Sequence, residues 1–309
     1  MNRSRRELLI CGALFAAFAG ASAGAWAQES FSLFVGSPQF TVDRMVKMAD
    51  LREGDVVIDL GSGDGRIVLA AAKANPKIRG WGVDINADLV VRSNASAKEQ
   101  GVADRIQFFH RNVFDADLRE VTVINMWLFP ELMRLLRPKI LAEARPGTRV
   151  VSNGFELGSW QPDITDTEGG RVLVWIVPAR VEGFWNWELP VLDVSQRGGN
   201  PKISNLTVEA VLEQRFQVAE GIARVGNRRG VFSDVMLRGE DLSFTTEMTL
   251  ESGGLTRQQY VGKVRGDRIQ GSVSITYRDD PDSKVVTVPW NAERVRTSGY
   301  FRPTGVATK

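Results

Sequence analysis

The chain has 309 residues, 43% of them hydrophobic and 25% charged, with a formal net charge of +2. That balance excludes a disordered chain, a collagen and a coiled coil, and the length suits one large domain or two ordinary ones. The first 27 residues hold three arginines and one glutamate, so the remainder carries 36 basic and 36 acidic residues and no electrostatic footprint for nucleic acid.

The N-terminus has the layout of an export signal. Arg3, Arg5 and Arg6 form a positive start, Leu8 to Ala19 is apolar, and Ala25-Trp26-Ala27 places small residues where a signal peptidase inspects them. Cleavage before Gln28 is expected, and it removes Cys11, the only cysteine. The apolar run is shorter than the roughly 20 residues that a spanning helix needs, so no membrane span is expected after cleavage. Ser4-Arg5-Arg6-Glu7-Leu8-Leu9 also resembles a twin-arginine signal, which serves the export of folded proteins. The expected location is the periplasm; a cytoplasmic or N-terminally anchored protein is the alternative. No pattern in the chain assigns an oligomeric state.

From about Thr41 to Pro178, apolar β-rich runs alternate with helical stretches. Strands are expected at 55–60, 79–85, 105–110, 121–128, 148–155 and 171–178, and helices at Gly65–Ala74, Ala87–Gln100 and Pro130–Ala144. This alternation predicts an α/β fold with a doubly wound, mostly parallel sheet. Beyond a linker at about Pro178–Gly183 the period changes to two. Leu206 to Val218, Leu242 to Leu250, Ile269 to Tyr277 and Val286 to Ala292 each alternate apolar and polar residues, with turn signals such as Gly226-Asn227, Gly239-Glu240-Asp241 and Gly266-Asp267 between runs. Seven or eight antiparallel strands in an up-and-down barrel are expected there, with a loop over 196–205. The predicted organisation is a signal at 1–27, an α/β domain at 28–180 and a β-barrel at 181–309.

Chemistry concentrates in VVIDLGSGDGRIV, 56–68. A strand ends at Asp59, the loop carries Gly61, Ser62, Gly63 and Gly65, and a helix follows at once. Glycines permit positive φ and close backbone approach to a ligand. A dinucleotide fingerprint would be G-x-G-x-x-G; here Arg66 stands where its third glycine belongs. Asp59 and Asp64 bring negative charge, which suits a cation better than a phosphate. Asp84, with Ile85, ends the second strand, where a carboxylate can accept from both ribose hydroxyls. Asn112 and Val113 end the third strand, where an amide and an apolar side chain can meet an adenine. A nicotinamide site and a purely structural turn are the competing readings of the loop.

On these residues the stretch from about Phe34 to Pro178 resembles the class I, seven-strand S-adenosylmethionine-dependent methyltransferases, which carry D-x-G-x-G-x-G after strand one and an acid after strand two. DLGSGDGRIV and WLFPELMRLLRPKILAEARPGTRVVS are similar to a group that includes small protein-lysine methyltransferases and their bacterial relatives. The resemblance implies a Rossmann-like seven-strand sheet and S-adenosyl-L-methionine as cofactor. Asp59, Gly61, Ser62 and Gly63 would hold its methionine end, Asp84 and Ile85 the ribose, and Asn112 and Val113 the adenine. Phe129, Pro130 and Glu131 fall on the acceptor side, and the methyl acceptor is a protein, such as a protein lysine, or a small molecule. Asn112 departs from the family, which more often has Asp there. Glu131 or Asp117 is placed to assist an amine nucleophile, and no residue is assigned as catalytic.

The single histidine, His110, lies in an expected strand, no G-x-S-x-G elbow occurs, and no metal site is expected. In the second domain Gly183 and Trp185, with Arg294 late in the chain, resemble the small lipocalin-like barrels. The leading reading is an exported methyltransferase with a C-terminal barrel; the rival is an exported, non-enzymatic binding protein on a methyltransferase-like scaffold. Because the cofactor is made in the cytoplasm, export in the folded, loaded state reconciles the signal with the chemistry.

Overall fold

The computed structural model describes residues 36–168, 170–193, 202–250, 254–278 and 285–296. The signal expected at 1–27 lies outside the described residues.

In the first part, strands β1 (Val56–Leu60), β2 (Arg79–Asp84), β3 (Ile106–His110), β4 (Val123–Met126) and β5 (Arg149–Asn153) are parallel, while β7 (Val172–Ile176) pairs antiparallel with both β5 and β6 (Ile164–Asp166), in the order β3-β2-β1-β4-β5-β7-β6. Every residue of β1 and β4 is buried, because helices cover both faces. On one face Ile58, Leu60, Ile124 and Met126 meet Met133, Leu136 and Ile140 of α4 (Pro130–Glu143). On the other, Val57, Val123 and Val151 meet Val42 and Met45 of α1 (Gln39–Met48) and Ile67 and Ala71 of α2 (Arg66–Ala74). A third helix, α3 (Ala87–Glu99), starts where the Asn86 side chain accepts the N–H groups of Asp88 and Leu89, an N-cap bond.

The chain leaves β1 toward β2 and β3, then returns to β4 on β1's other side. The C-terminal ends of β1 and β4 thus flank the switch point, where doubly wound sheets open a crevice. At the opposite edge Asp55 and Arg149 form a buried ion pair at 2.5 Å. The Thr122 hydroxyl and the Arg52 N–H also donate to the Asp55 carboxylate, which satisfies a charge that would be costly unpaired.

The second part is a closed barrel. Its strands are β8 (Gly183–Asp193), β9 (Lys202–Arg215), β10 (Val218–Val225), β11 (Arg228–Arg238), β12 (Asp241–Leu250), β13 (Gly254–Arg265), β14 (Arg268–Tyr277) and β15 (Val286–Val295). Each pairs antiparallel with the next, and β15 returns to β8. Along β13 the period of two is visible: Thr256, Gln258, Tyr260 and Val264 are buried, while Val261, Lys263 and Arg265 are exposed. Phe232, Phe244, Tyr260 and Trp290 pack ring against ring in the interior, with successive centroids 4.0, 4.7 and 4.9 Å apart.

Two expectations need correction, and two elements were not foreseen. The run from Leu206 to Val218 is not one strand: the chain turns at Phe216-Gln217, with Phe216 at φ +59°. Alternation continues through the two-residue turn, so periodicity hides the break. The loop expected over 196–205 gives way to β9 from Lys202 onward. The helix α1 and the short strand β6 belong to the sheet domain without having been expected as elements.

The two parts touch through the β9–β10 turn. The Phe216 ring stacks on Trp160 at 5.9 Å and 17°, and the Arg137 guanidinium lies 5.2 Å from its centroid. Gln217 Nε2 donates to the Gln161 carbonyl at 2.8 Å, and the Ala179 N–H to the Gly239 carbonyl at 2.7 Å. At the same end of the barrel the Arg294 guanidinium lies 4.3 Å from the Trp185 ring centroid.

Candidate active site

The site begins with the turn between β1 and α2. Gly61 and Gly65 both have φ +81°, a region that L side chains avoid. Both are also hemmed in: a Cβ on Gly61 would come within 2.6 Å of Leu128 Cδ2, and one on Gly65 within 2.6 Å of the Phe108 ring. The N–H groups of Gly61 and Ser62 both donate to the Val83 carbonyl, at 2.9 and 3.0 Å. The turn is thereby fastened to the end of β2.

Asp84 continues that attachment. One carboxylate oxygen accepts the Gly63 N–H at 2.8 Å and the other the Asn86 N–H at 2.9 Å. The carboxylate is partly exposed, so each oxygen keeps a lone pair for a further donor. Next to it, the Ile85 carbonyl accepts from His110 Nε2 at 2.9 Å; the single histidine thus braces the end of β3 against the β2–α3 connection.

Asp59 is different. It is 1% exposed, and neither carboxylate oxygen has a hydrogen-bond partner among the described residues. Burial first, then the nearby Asp84 and Asp64 carboxylates, push its pKa up to about 8. A fully buried, unpartnered acid is unfavourable on its own and becomes favourable when a cation arrives. The Ser62 hydroxyl, also buried, is likewise unpartnered.

Asp64 does not share this state. Arg66 Nε donates to it at 2.8 Å, and that guanidinium lowers its pKa. Arg66 also donates to the Ser37 carbonyl at 2.6 Å, so the residue in the third-glycine position ties the glycine turn to the segment before α1. From the middle of α1, Arg44 Nε reaches Asp166 of β6 at 2.7 Å. The helix is thus tied to β6, and the segment before it to the glycine turn.

The structure brings Asp59, Gly61, Ser62, Gly63, Asp84 and Ile85 together at the C-terminal edge of β1 and β2. Asn112 and Val113 stand on the same edge, after β3. Val113 is buried, and the Asn112 side-chain oxygen accepts the Phe114 N–H at 3.0 Å, capping a single 3₁₀ turn. On the other side of β1, Phe129 is 45% exposed at the end of β4 and Pro130 opens α4. Glu131 is exposed and pairs with Arg134 at 3.6 Å. Asp117 is not brought to this edge: it precedes β4 on the returning connection, where Arg119 holds its carboxyl well below the usual range. Asn125 of β4, which the sequence did not single out, is buried with an unpartnered side-chain oxygen.

Comparison with known proteins fits this geometry. Residues 59–164 match the family described as the ANTKMT methyltransferase domain. A protein-lysine N-methyltransferase of Saccharolobus islandicus is 37% identical over 140 residues, covering 45% of this chain and 87% of that protein. An adenine nucleotide translocase lysine N-methyltransferase of Mus musculus is 34% identical over 136 residues, and the match spans 44% of this chain but only 58% of that protein. Among solved structures, an RNA methyltransferase from Salinibacter ruber in complex with S-adenosyl-L-homocysteine is 45% identical, with 48% of this chain and 96% of that chain covered, at a TM-score of 0.46. Nothing in these comparisons supports a non-enzymatic scaffold. The chain belongs to this methyltransferase family and is an S-adenosylmethionine-dependent methyltransferase.

Proposed function

We propose that this enzyme methylates the side-chain amine of a protein lysine. The observation that carries the cofactor half is Asp59: a fully buried carboxylate with no partner, at the switch point and beside a glycine turn with positive φ. Such a seat fits the positively charged methionine end of S-adenosylmethionine and would repel a pyrophosphate. Asp59 and the Gly61–Gly63 turn would hold that end. Asp84 and Ile85 would hold the ribose, and Asn112 and Val113 the adenine.

When bound, the cofactor supplies a methyl carbon on a positively charged sulfur, which leaves as a neutral thioether. The protein's part is then positioning and exclusion of water, together with delivery of an uncharged amine. Of the five exposed phenylalanines among the described residues, Phe114, Phe129 and Phe155 lie after β3, β4 and β5, at the C-terminal edge of the sheet, while Phe109 is in β3 and Phe40 in α1. Phe129 and Phe155, after β4 and β5, offer apolar walls for the methylene stem of a lysine, and Pro130 and Glu131 stand beside them. The protein-lysine acceptor is supported by the relatives from Saccharolobus islandicus and Mus musculus.

The proposal includes export in the folded state, supported by Arg5, Arg6 and the small residues at Ala25 and Ala27. It also includes kinship of the barrel with lipocalin-like barrels, supported by Gly183, Trp185 and the Arg294 guanidinium on the Trp185 ring. The test of the acceptor uses tritiated S-adenosylmethionine with whole-cell extract. Label recovered as methyllysine after acid hydrolysis is the expected result. Label confined to RNA or to the small-molecule fraction would overturn the lysine assignment.

A further inference from the structure

We propose that Asn125 works with Asp59 as a second acceptor for the ammonium group of the cofactor's amino-acid end, an inference that rests on the methyltransferase reading of this site. Strand β4 lies next to β1, and their register sets Asn125 opposite Asp59 on the same face of the sheet. On β2 the opposite residue is Gly82, which brings no side chain. Two residues earlier on each strand the same face presents Val57 and Val123, and beyond Asn125 on β5 it presents Val151; all three are packed in the core under α1. The row is apolar until it reaches the C-terminal edge, and there it becomes Asp59 and Asn125.

An interior strand position of this kind is ordinarily filled by valine or isoleucine. Asn125 is 2% exposed and its side-chain oxygen has no partner. Both oxygens of Asp59 are also without partners, so the two side chains do not satisfy each other. With Asp59 ionised, the result is three buried acceptor atoms on neighbouring strands with no donor among the described residues. Buried polar atoms are almost always paired, and the missing partner here must be a donor. A primary ammonium has three N–H groups and a charge that answers Asp59. The ribose offers hydroxyls instead, and Asp84 stands ready for those on the other side of β1, at the end of β2.

Calorimetry with two ligands tests the assignment: S-adenosylhomocysteine, and methylthioadenosine, which keeps the nucleoside and the sulfur but lacks the amino-acid end. Asn125→Val, which restores the apolar row, is expected to weaken S-adenosylhomocysteine at least about tenfold and leave methylthioadenosine unchanged. Asn125→Thr, which keeps a side-chain oxygen, is expected to fall between wild type and the Val variant. Equal losses for both ligands would make Asn125 a structural residue and overturn the proposal, as would no loss for either. If Asn125→Val does not fold, the Thr variant alone decides by the same contrast. Wild-type protein that binds methylthioadenosine but gains nothing from the amino-acid end would overturn the ammonium seat alone. Wild-type protein that binds neither ligand would overturn the cofactor site with it.

Discussion

Asp84 accepts the backbone N–H of Gly63 at 2.8 Å, so a carboxylate at the end of β2 holds the tip of the glycine turn that follows β1. The carboxylate proposed to meet the ribose therefore also shapes the loop proposed to meet the methionine end. Asp84→Ala removes both contributions. Hydrogen bonds to a charged group are worth about 1.5–3 kcal/mol each, so affinity for S-adenosylhomocysteine should fall at least roughly tenfold. Asp84→Asn, which can still accept on one atom, should lose less. Isothermal calorimetry of the two variants checks both the size and the order of the losses.

Asp59 makes the stability of the ligand-free protein depend on pH. Its pKa rises from 3.8 to about 8 on folding. Between those values the folded state holds more protons than the unfolded state, so stability falls as pH rises through that window. Asp59→Asn should flatten this slope and raise the melting temperature at pH 8 more than at pH 5. Thermal unfolding at the two pH values decides the point.

On the proposed cofactor seat, the same group is expected to link cofactor binding to proton release. A cation needs the ionised form of Asp59, so affinity should climb between pH 6 and pH 8, and binding near neutrality should release a proton. Calorimetric enthalpies in two buffers of different ionisation heat measure the released proton directly. Asp59→Asn should abolish that buffer dependence.

Phe216 fastens the barrel to the sheet domain by its stack on Trp160 and the overlying Arg137. Phe216→Ala should cost about 1–3 kcal/mol, from lost apolar and ring–ring contact. Arg137→Ala should cost about 0.5–1 kcal/mol through the cation–π contact, with a further loss from its bond to the Leu157 carbonyl. Because both act on one ring, the double variant should lose less than the sum. Urea unfolding of the single and double variants provides the measurement.

The export proposal has its own readout. Arg5→Lys together with Arg6→Lys keeps the charge but changes the guanidinium geometry. A twin-arginine signal should then fail to be processed, whereas a general secretory signal should still be cleaved before Gln28. Mass spectrometry of the N-terminus after expression in the native host separates the two.

Much of this architecture was legible because the sequence carries its signals locally. The apolar runs at 55–60 and 105–110 become β1 and β3 to within a residue, since buried parallel strands cannot hide their composition. Pro130 marks the start of α4 to the residue. The barrel followed from the period of two, but not its strand count around Phe216, where alternation runs on through a turn. In the site, the glycine turn, Asp59 and Asp84 stand out because few other functions use those residues in that spacing. Asn125 did not stand out. Its meaning lies in its register against Asp59, a cross-strand relation between residues 66 positions apart that no local pattern encodes. Asp64 misled for the complementary reason: its charge is answered by Arg66 two residues on, and a sequence does not say which way a guanidinium folds.

The two sheets of this protein end differently, and that difference bears on how it can meet other chains. The α/β sheet has margins at β3 and at β6, the latter three residues long. The barrel closes on itself, with Ala292–Val295 of β15 hydrogen-bonded back to Phe184–Trp187 of β8. A closed ring of strands leaves little free edge to a passing extended segment, so it resists the strand addition through which open sheets aggregate or are templated. Its eight long strands therefore add a large β-surface to the molecule without adding a sticky edge.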